Sequence, residues 1–399
     1  MQYDVITVGG GLAGATLAKG LAERGVRVLV LERETEFKDR VRGEQMHPWG
    51  VAEAKALGIY DRLIDAGGHQ TRYWMTWLDG VSALRRDLNA TTPHGVGSFN
   101  IYHPAMQATL LTQAAESGAE VRRGVRVESV EPGISPRVTA RSNGRTETLQ
   151  ARLVVAADGR GSQARSWGEF QVDQDPDRLV IAGTLVANTP LPDDSVHLFV
   201  SPIATTLWAP LGDDRARTYF IYPKSHGERP FSGPDGVPTF LSACRQTGVP
   251  DEWLDGAELT GPLAQFNGAN HWVTNPTREG LVLVGDAAAC SDPSWGTGLS
   301  LTLLDVRHLR DALLATDDWD RATADYAKAH DAYYGALHQI EGWMADLIWD
   351  EGPEADTRRE RAMPRLLSDP TGLPDIIGLG PASPNDESAR RLLMGEDLA

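Results

Sequence analysis

The stretch Tyr3 to Glu32, YDVITVGGGLAGATLAKGLAERGVRVLVLE, decides the fold. Its short apolar run, Tyr3 to Val8, ends on Gly9-Gly10-Gly11. Apolar residues then recur at helical spacing from Leu12 and Ala13 through Leu21 and Ala22, until Gly25 stops the helix. Val26 to Leu31 is a second, β-branched run that closes on Glu32. Strand, glycine turn, helix, strand and acid, in that order, form a dinucleotide-binding βαβ unit. Gly9 permits the tight turn, and Gly11 lets backbone amides approach a pyrophosphate. Gly14 lets the helix pack closely on the strand, and the helix N-terminus offers its positive dipole to the phosphates. Glu32, eighteen residues beyond Gly14, is placed to accept both ribose hydroxyls. An acid there suits FAD or NAD and repels the 2′-phosphate of NADP.

Around this unit lie 399 residues, enough for two or three domains and a large core without disulfide or metal staples. The net charge of −17 argues against nucleic acid or an anionic membrane surface as the main partner. Only Cys244 and Cys290 are available, too few for a disulfide framework or a cysteine zinc site, which points to a reducing compartment. No apolar run approaches the ~18 residues that a spanning helix needs. A strand begins at Tyr3 with no basic leader before it, so the expected location is cytoplasmic.

Two further glycine motifs follow at a distance. Leu153-Val154-Val155-Ala156-Ala157-Asp158-Gly159 runs a buried strand into D-G-x-x-S-x-x-R, ending at Arg165. Leu281-Val282-Leu283-Val284-Gly285-Asp286 does the same. It continues through Pro293-Ser294-Trp295-Gly296-Thr297-Gly298 into the helical pattern Leu299 to Leu314. Each strand presents an aspartate at its C-terminal edge, where α/β sheets bind ligands.

With all three motifs in order between residue 3 and about residue 315, the chain resembles the single-component, group A FAD-dependent monooxygenases. That family is typified by p-hydroxybenzoate hydroxylase and related to squalene epoxidase. The resemblance implies an α/β fold: a Rossmann-like FAD-binding domain with a mostly parallel sheet, an inserted antiparallel-sheet substrate domain, and C-terminal helices. The expected division is FAD-binding segments 1–73, 98–170 and 271–318, substrate segments 74–97 and 171–270, and a helical region 319–399. It also implies a function: hydroxylation or epoxidation of a mostly apolar phenol, polyketide-like aromatic or alkene with O2 and NADH or NADPH, through a flavin C4a-hydroperoxide.

The resemblance assigns Gly9, Gly10, Gly11, Leu12, Ala13, Gly14, Glu32, Arg33 and Val127 to FAD. Asp158 links the flavin pyrophosphate to the nicotinamide cofactor, and Asp286 takes the ribityl chain. Backbone amides of Gly296, Thr297, Gly298 and Leu299 face the isoalloxazine. Asp39-Arg40-Val41-Arg42-Gly43-Glu44 is similar to the D-R-x-x-G-E segment of squalene epoxidases, in which Arg40 or Arg42 approaches the pyrophosphate; Gln107 matches a polar FAD contact. Ala289 and Ser300 depart from the family's His and Asn, yet neither change removes a backbone donor, so FAD binding is expected to survive.

No catalytic base stands out. His47, His94, His103, His226, His271 and His308 sit in no recognised arrangement, and His103 reads as a helix cap. No HxxxH, HExxH or CxxC pattern is present, so no metal is expected. Strand-like runs Leu179–Val186, Val196–Val200, Thr205–Ala209 and Ala216–Tyr222, separated by turn signals, predict an antiparallel sheet. Alternation lets only half of its aromatics face one side; Trp77, Trp208 and Tyr219 are the expected pocket residues, with Trp295 as a wall above the ring. Arg321 to Trp349 reads as one long helix. The alternatives within the same fold are a flavin reductase or dehydrogenase and a halogenase. The W-x-W-x-I-P pattern of halogenases is absent, since Trp74 and Trp77 have the wrong spacing. A flavin-binding redox sensor would need neither the D-G motif nor a substrate domain.

Overall fold

The structure is a computed structural model that describes residues 3–41, 43–368 and 372–396. Its central sheet has six strands in the order Thr277–Arg278, Leu281–Leu283, Leu153–Ala156, Val5–Val8, Val28–Glu32, Glu120–Arg123. All neighbours are parallel except the edge pair Thr277–Arg278 with Leu281–Leu283. The strands Val5–Val8, Leu153–Ala156 and Val28–Glu32 are buried along their whole length. They read as unbroken apolar runs because both sheet faces are covered. Leu17, Leu110, Leu303 and Leu309 pack on one face, from the helices Leu12–Ala22, His103–Glu116 and Gly298–Ala315. Val138, Leu149 and Phe170 pack on the other.

The second sheet has eight strands. Glu258–Leu259 and Ala264–Asn267 pair with Leu179–Ala187, and Arg215–Pro223, Thr205–Gly212, Ser195–Val200, Tyr73–Leu78 and Val81–Asp87 follow in turn. Every pairing is antiparallel except Ser195–Val200 with Tyr73–Leu78. Residues from both early and middle segments of the chain therefore share one sheet.

Alternation gives this sheet two different faces. Phe199, Trp208, Phe220 and Tyr222 pack against Phe240 and Cys244 of the helix Val237–Gln246. The opposite face carries Trp74, Val196 and Ala209, with Leu198, Leu207 and Ile377.

A thirty-residue helix, Trp319–Ile348, starts where the Asp318 carboxylate accepts from the Arg321 amide at 3.1 Å. After it the chain returns to the helix Pro48–Ala56 and to the edge strand Val81–Asp87 of the second sheet. Trp49 Nε1 donates to the Ile376 carbonyl at 3.0 Å, and Arg86 grips Asp375 with two hydrogen bonds of 2.8 and 2.6 Å. Among the described residues no helix is long and apolar enough to cross a membrane.

Candidate functional site

The three glycine motifs end adjacent strands, so their turns meet at one edge of the central sheet. Contacts at the glycines show how closely. Gly9 has a φ of +102°, and a Cβ on it would strike the Ala157 carbonyl and lie 3.2 Å from Asp158 Cα. A Cβ on Gly14 would strike the Gly9 carbonyl oxygen and lie 3.3 Å from Ala157 Cβ. At Gly285, φ is +62° and a Cβ would be 3.3 Å from Ala13 Cβ.

In the first turn Glu32 is buried and doubly held, accepting from the Gly10 amide at 2.7 Å and the Glu34 amide at 2.7 Å. Leu12 and Ala13 are buried at the start of the helix, which has no side-chain cap and no acid in its first turn. Its leading N–H groups remain available to an anion. Gln107 reaches the same turn, 3.3 Å from where a Gly11 Cβ would stand.

In the second turn, Asp158 Oδ2 accepts from the amides of Gln163 and Ala164 at 2.7 and 3.3 Å, while its Oδ1 is buried without a partner among the described residues. Arg165 crosses to the third turn, donating to the carbonyls of Ala287 at 2.8 Å and Asp286 at 2.6 Å. The arginine of the D-G motif therefore fixes the backbone that presents Asp286. Sequence reasoning placed Arg165 in the motif without finding that role, because the partners are 121 and 122 residues away.

The third motif continues into a loop and a helix. Asp292 caps the turn Pro293–Trp295 through the Ser294 amide at 2.8 Å, and Gly296 takes the left-handed conformation with φ +67°. The helix Gly298–Ala315 follows, again without a side-chain cap, because the Thr297 hydroxyl is engaged elsewhere. Leu299 stands half-buried in its first turn. Facing this loop are Gln45 and His47, which the sequence reading left out of the site. His47 Nε2 lies 2.9 Å from the Trp295 carbonyl, so that nitrogen carries the proton. Burial depresses the pKa of His47, which keeps it neutral. His47 Nδ1 and both amide atoms of Gln45 are buried without partners among the described residues. A short strand in an unremarkable segment gave no signal for them.

Asp39 and Glu44 point away from the turns, into the second sheet. Arg217 donates to both Glu44 oxygens and, at 2.8 Å, to Asp39. Burial opposes the charge on Arg217, but the hydrogen bonds and charge of Glu44, with Tyr219 and Asp39, outweigh it and raise the guanidinium's pKa.

Arg33 and Arg40 lie at the surface, each paired with Glu34, Arg40 at 2.6 Å. Arg42 lies outside the described residues. The Gly43 carbonyl is 2.9 Å from His103 Nδ1, so His103 ties this segment down and does not cap its own helix. Val127 is half-buried against the core on the far face of the sheet.

The pocket aromatics divide by strand parity. Tyr219 lies on the face of the second sheet that meets the loop at Val41, since a Cβ on its neighbour Gly183 would lie 2.6 Å from Tyr219 Cδ1 and 2.9 Å from Val41 Cγ1. Trp295 lies in the loop beside His47. Trp77 and Trp208 point the other way, into the cluster under Val237–Gln246, where Trp208 is fully buried. The expectation that these two line the pocket is corrected accordingly. Trp74, with its ring 6.1 Å from that of His47, holds the position expected of Trp77.

These features fit a flavin dinucleotide: three glycine turns in contact, two uncapped helix N-termini, a fixed acid at the end of the second strand, and buried polar atoms lacking protein partners. The sequence model of the FAD binding domain matches residues 2–319. The chain belongs to the FAD binding domain family. Among curated proteins, this FAD-binding chain is similar to rifampicin monooxygenase of Rhodococcus hoagii, 27% identical over 77% of this chain and 62% of that one. It is 28% identical to squalene epoxidase 4 of Arabidopsis thaliana, over 78% of this chain and 62% of that one. The chain thus spans less than two thirds of the length of these relatives. The solved structure of p-nitrophenol 4-monooxygenase PnpA from Pseudomonas putida has the same fold, with a TM-score of 0.79 at 19% identity, over 92% of this chain and 94% of that one.

Proposed function

We propose that this protein is an FAD-dependent monooxygenase that uses NADH or NADPH and O2 to oxygenate an apolar aromatic molecule or alkene. The observation that carries this reading is the meeting of three glycine turns at one sheet edge, with Trp74 of a second sheet near His47, which bonds to the loop of the third turn. Bound FAD supplies the redox and oxygen chemistry; the chain supplies position, electrostatics and exclusion of water. Glu32 holds the ribose hydroxyls, and the N-terminus of Leu12–Ala22 receives the pyrophosphate. Gly9, Gly10, Gly11 and Gly14 allow the close approach, Asp286 binds the ribityl chain, and Gly296 to Leu299 direct backbone donors at the ring, where negative charge develops. Asp158, Oδ1 unpartnered, lies between the two glycine turns that flank it. Beside it an open cavity of about 540 Å³, lined by Arg160, Arg165 and His271, suits the phosphates of the nicotinamide cofactor.

Residues 1–73, 98–170 and 271–318 act as the FAD-binding part and 74–97 with 171–270 as the substrate part, closed by 319–399. Trp74, Tyr219 and Ile377 keep water from the substrate, which is apolar because its surroundings are. The working location is the cytoplasm. The test is turnover under ¹⁸O2 with NADH or NADPH and a panel of phenols, polyketide aromatics and alkenes. Stimulated nicotinamide oxidation with one labelled oxygen in the product is expected. Stimulated oxidation without label in the product would make the protein a dehydrogenase.

A further inference from the structure

One buried carboxyl is used by none of the three glycine turns. Glu341, on the long helix Trp319–Ile348, lies beyond the matched residues 2–319 and is 1% exposed. It stands directly behind the loop that precedes the helix Gly298–Ala315. Its Oε1 lies 2.8 Å from Thr297 Oγ1, which is also 2.8 Å from Ser291 Oγ. Glu341 Oε2 has no hydrogen-bond partner among the described residues, and no ion pair to Glu341 occurs among them.

Thr297 occupies the position from which a threonine ordinarily caps its own helix by accepting from the second or third helical N–H. Here Thr297 has helical backbone angles, φ −85° and ψ −18°, and its side chain makes no such bond; the hydroxyl is turned back toward Glu341 and Ser291. The leading N–H groups of Gly298, Leu299 and Ser300 thereby stay unclaimed by any side chain.

The charge state of Glu341 follows from its surroundings. Asp292 from the loop and Asp175 from the short strand region opposite both bear on it with like charge, and Tyr334 lies nearby on its own helix. Of the cationic and titratable groups around it, Arg160 bears on Asp292, Arg165 bears on Tyr334, and His338, on the same helix as Glu341, pairs with Asp175 at 2.8 Å. Burial, reinforced by these two aspartates, raises the pKa of Glu341 well above the usual carboxylate range.

We propose that Glu341 is the positioning residue of the flavin-facing loop. By anchoring the Thr297 hydroxyl it fixes the backbone that leads into the helix Gly298–Ala315, so that the first N–H groups of that helix stay aimed at the isoalloxazine. This inference rests on the reading that residues 296–299 face the flavin ring.

The experiment measures the FAD dissociation constant and the midpoint potential of bound flavin in the full-length protein and three variants. Glu341→Ala and Thr297→Val each remove one side of the same contact. Each is expected to weaken FAD binding about tenfold, the loss that follows from one buried hydrogen bond. Both are also expected to lower the midpoint potential, because fewer fixed donors then stabilise the reduced, negatively charged ring. The double variant should lose no more than either alone. Glu341→Gln, neutral and of the same shape, should stay within about twofold of the parent at an unchanged potential.

In infrared difference spectra, a carbonyl band of a protonated carboxylic acid should be present in the parent and absent in Glu341→Gln. The proposal is overturned by parental affinity and potential in Thr297→Val, or by Glu341→Gln being as impaired as Glu341→Ala. Thr297→Val answers the question by itself where Glu341→Ala does not fold. A parent protein that binds no FAD overturns the flavin reading as a whole, whereas a parent that binds FAD beside indifferent variants overturns only the role of Glu341.

Discussion

Replacing Arg217 by Met probes the link between the two sheets. The Arg217 side chain is 1% exposed, and its partners Glu44 and Asp39 are 2% and 7% exposed. Water screens none of the three, so the pairs are buried ion pairs rather than surface bridges. Methionine fills most of the volume of the arginine stem but carries no charge. Two carboxylates are then left facing each other across a dry boundary. Burial already pushes the Glu44 pKa up against the pull of Arg217, so Glu44 takes a proton in the variant and removes part of the repulsion. Removing one partner of a buried pair costs about 3–5 kcal/mol, and this is the expected loss for Arg217→Met. If the loss comes from uncompensated charge, it must shrink once the charges are gone. In a Glu44→Gln, Asp39→Asn background Arg217 is itself the uncompensated buried charge, so the same replacement should cost nothing or stabilise. The assay is urea unfolding followed by tryptophan fluorescence, with free FAD fixed so that ligand binding adds equally to every variant. A loss below about 1 kcal/mol in the parent background, or an equal loss in both backgrounds, would refute the reasoning.

Three other outcomes follow from the same geometry. Gly14→Ala places a methyl on the Gly9 carbonyl, and backbone cannot yield as a side chain does. It should cost about 1–3 kcal/mol in urea unfolding and at least tenfold in FAD affinity. Trp74→Phe should change KM for the oxygenated substrate severalfold at constant FAD affinity, whereas Trp208→Phe should lower Tm and leave KM alone; the opposite pattern would reverse the assigned faces. His197 accepts from Trp77 Nε1 at 3.1 Å and lies 3.0 Å from Ser195 Oγ, and burial lowers its pKa to about 4. Its folded pKa lies below the unfolded value of 6.5, so its contribution to stability is present above pH 6.5 and is lost as pH falls toward 4. Unfolding free energies from pH 7 to 4 should show roughly 3 kcal/mol of acid-side loss that His197→Gln abolishes; an identical slope in that variant would count against the assignment.

The motif strands were legible because a parallel strand buried on both faces is an uninterrupted apolar run, and its turn is marked by glycine. Leu153–Ala156 and Leu281–Leu283 therefore show in sequence as clearly as Val5–Val8. Their neighbour order does not, since crossovers carry no local record of which strand lies beside which. Strand parity separates Trp208 from Tyr219, but only tertiary packing tells which face meets the helix Val237–Gln246. Gln45 and His47 were missed because a two-residue strand has no pattern to read. Pairs such as Glu44 with Arg217 and Thr297 with Glu341 join segments 173 and 44 residues apart, and each member alone resembles an ordinary charged or capping residue. The return of Asp375 and Ile376 onto Arg86 and Trp49 had no sequence signal for the same reason.

The central claim is that the three glycine turns together form one flavin site, with Asp286 presented by the backbone that Arg165 holds. The direct measurement is the flavin content of the purified protein and of Asp286→Ala, read from the visible spectrum against protein concentration. The account predicts one FAD per chain in the parent and loss of most of it in the variant at unchanged fold. A colourless parent that takes up no added FAD, or a variant that keeps one FAD per chain, would contradict it.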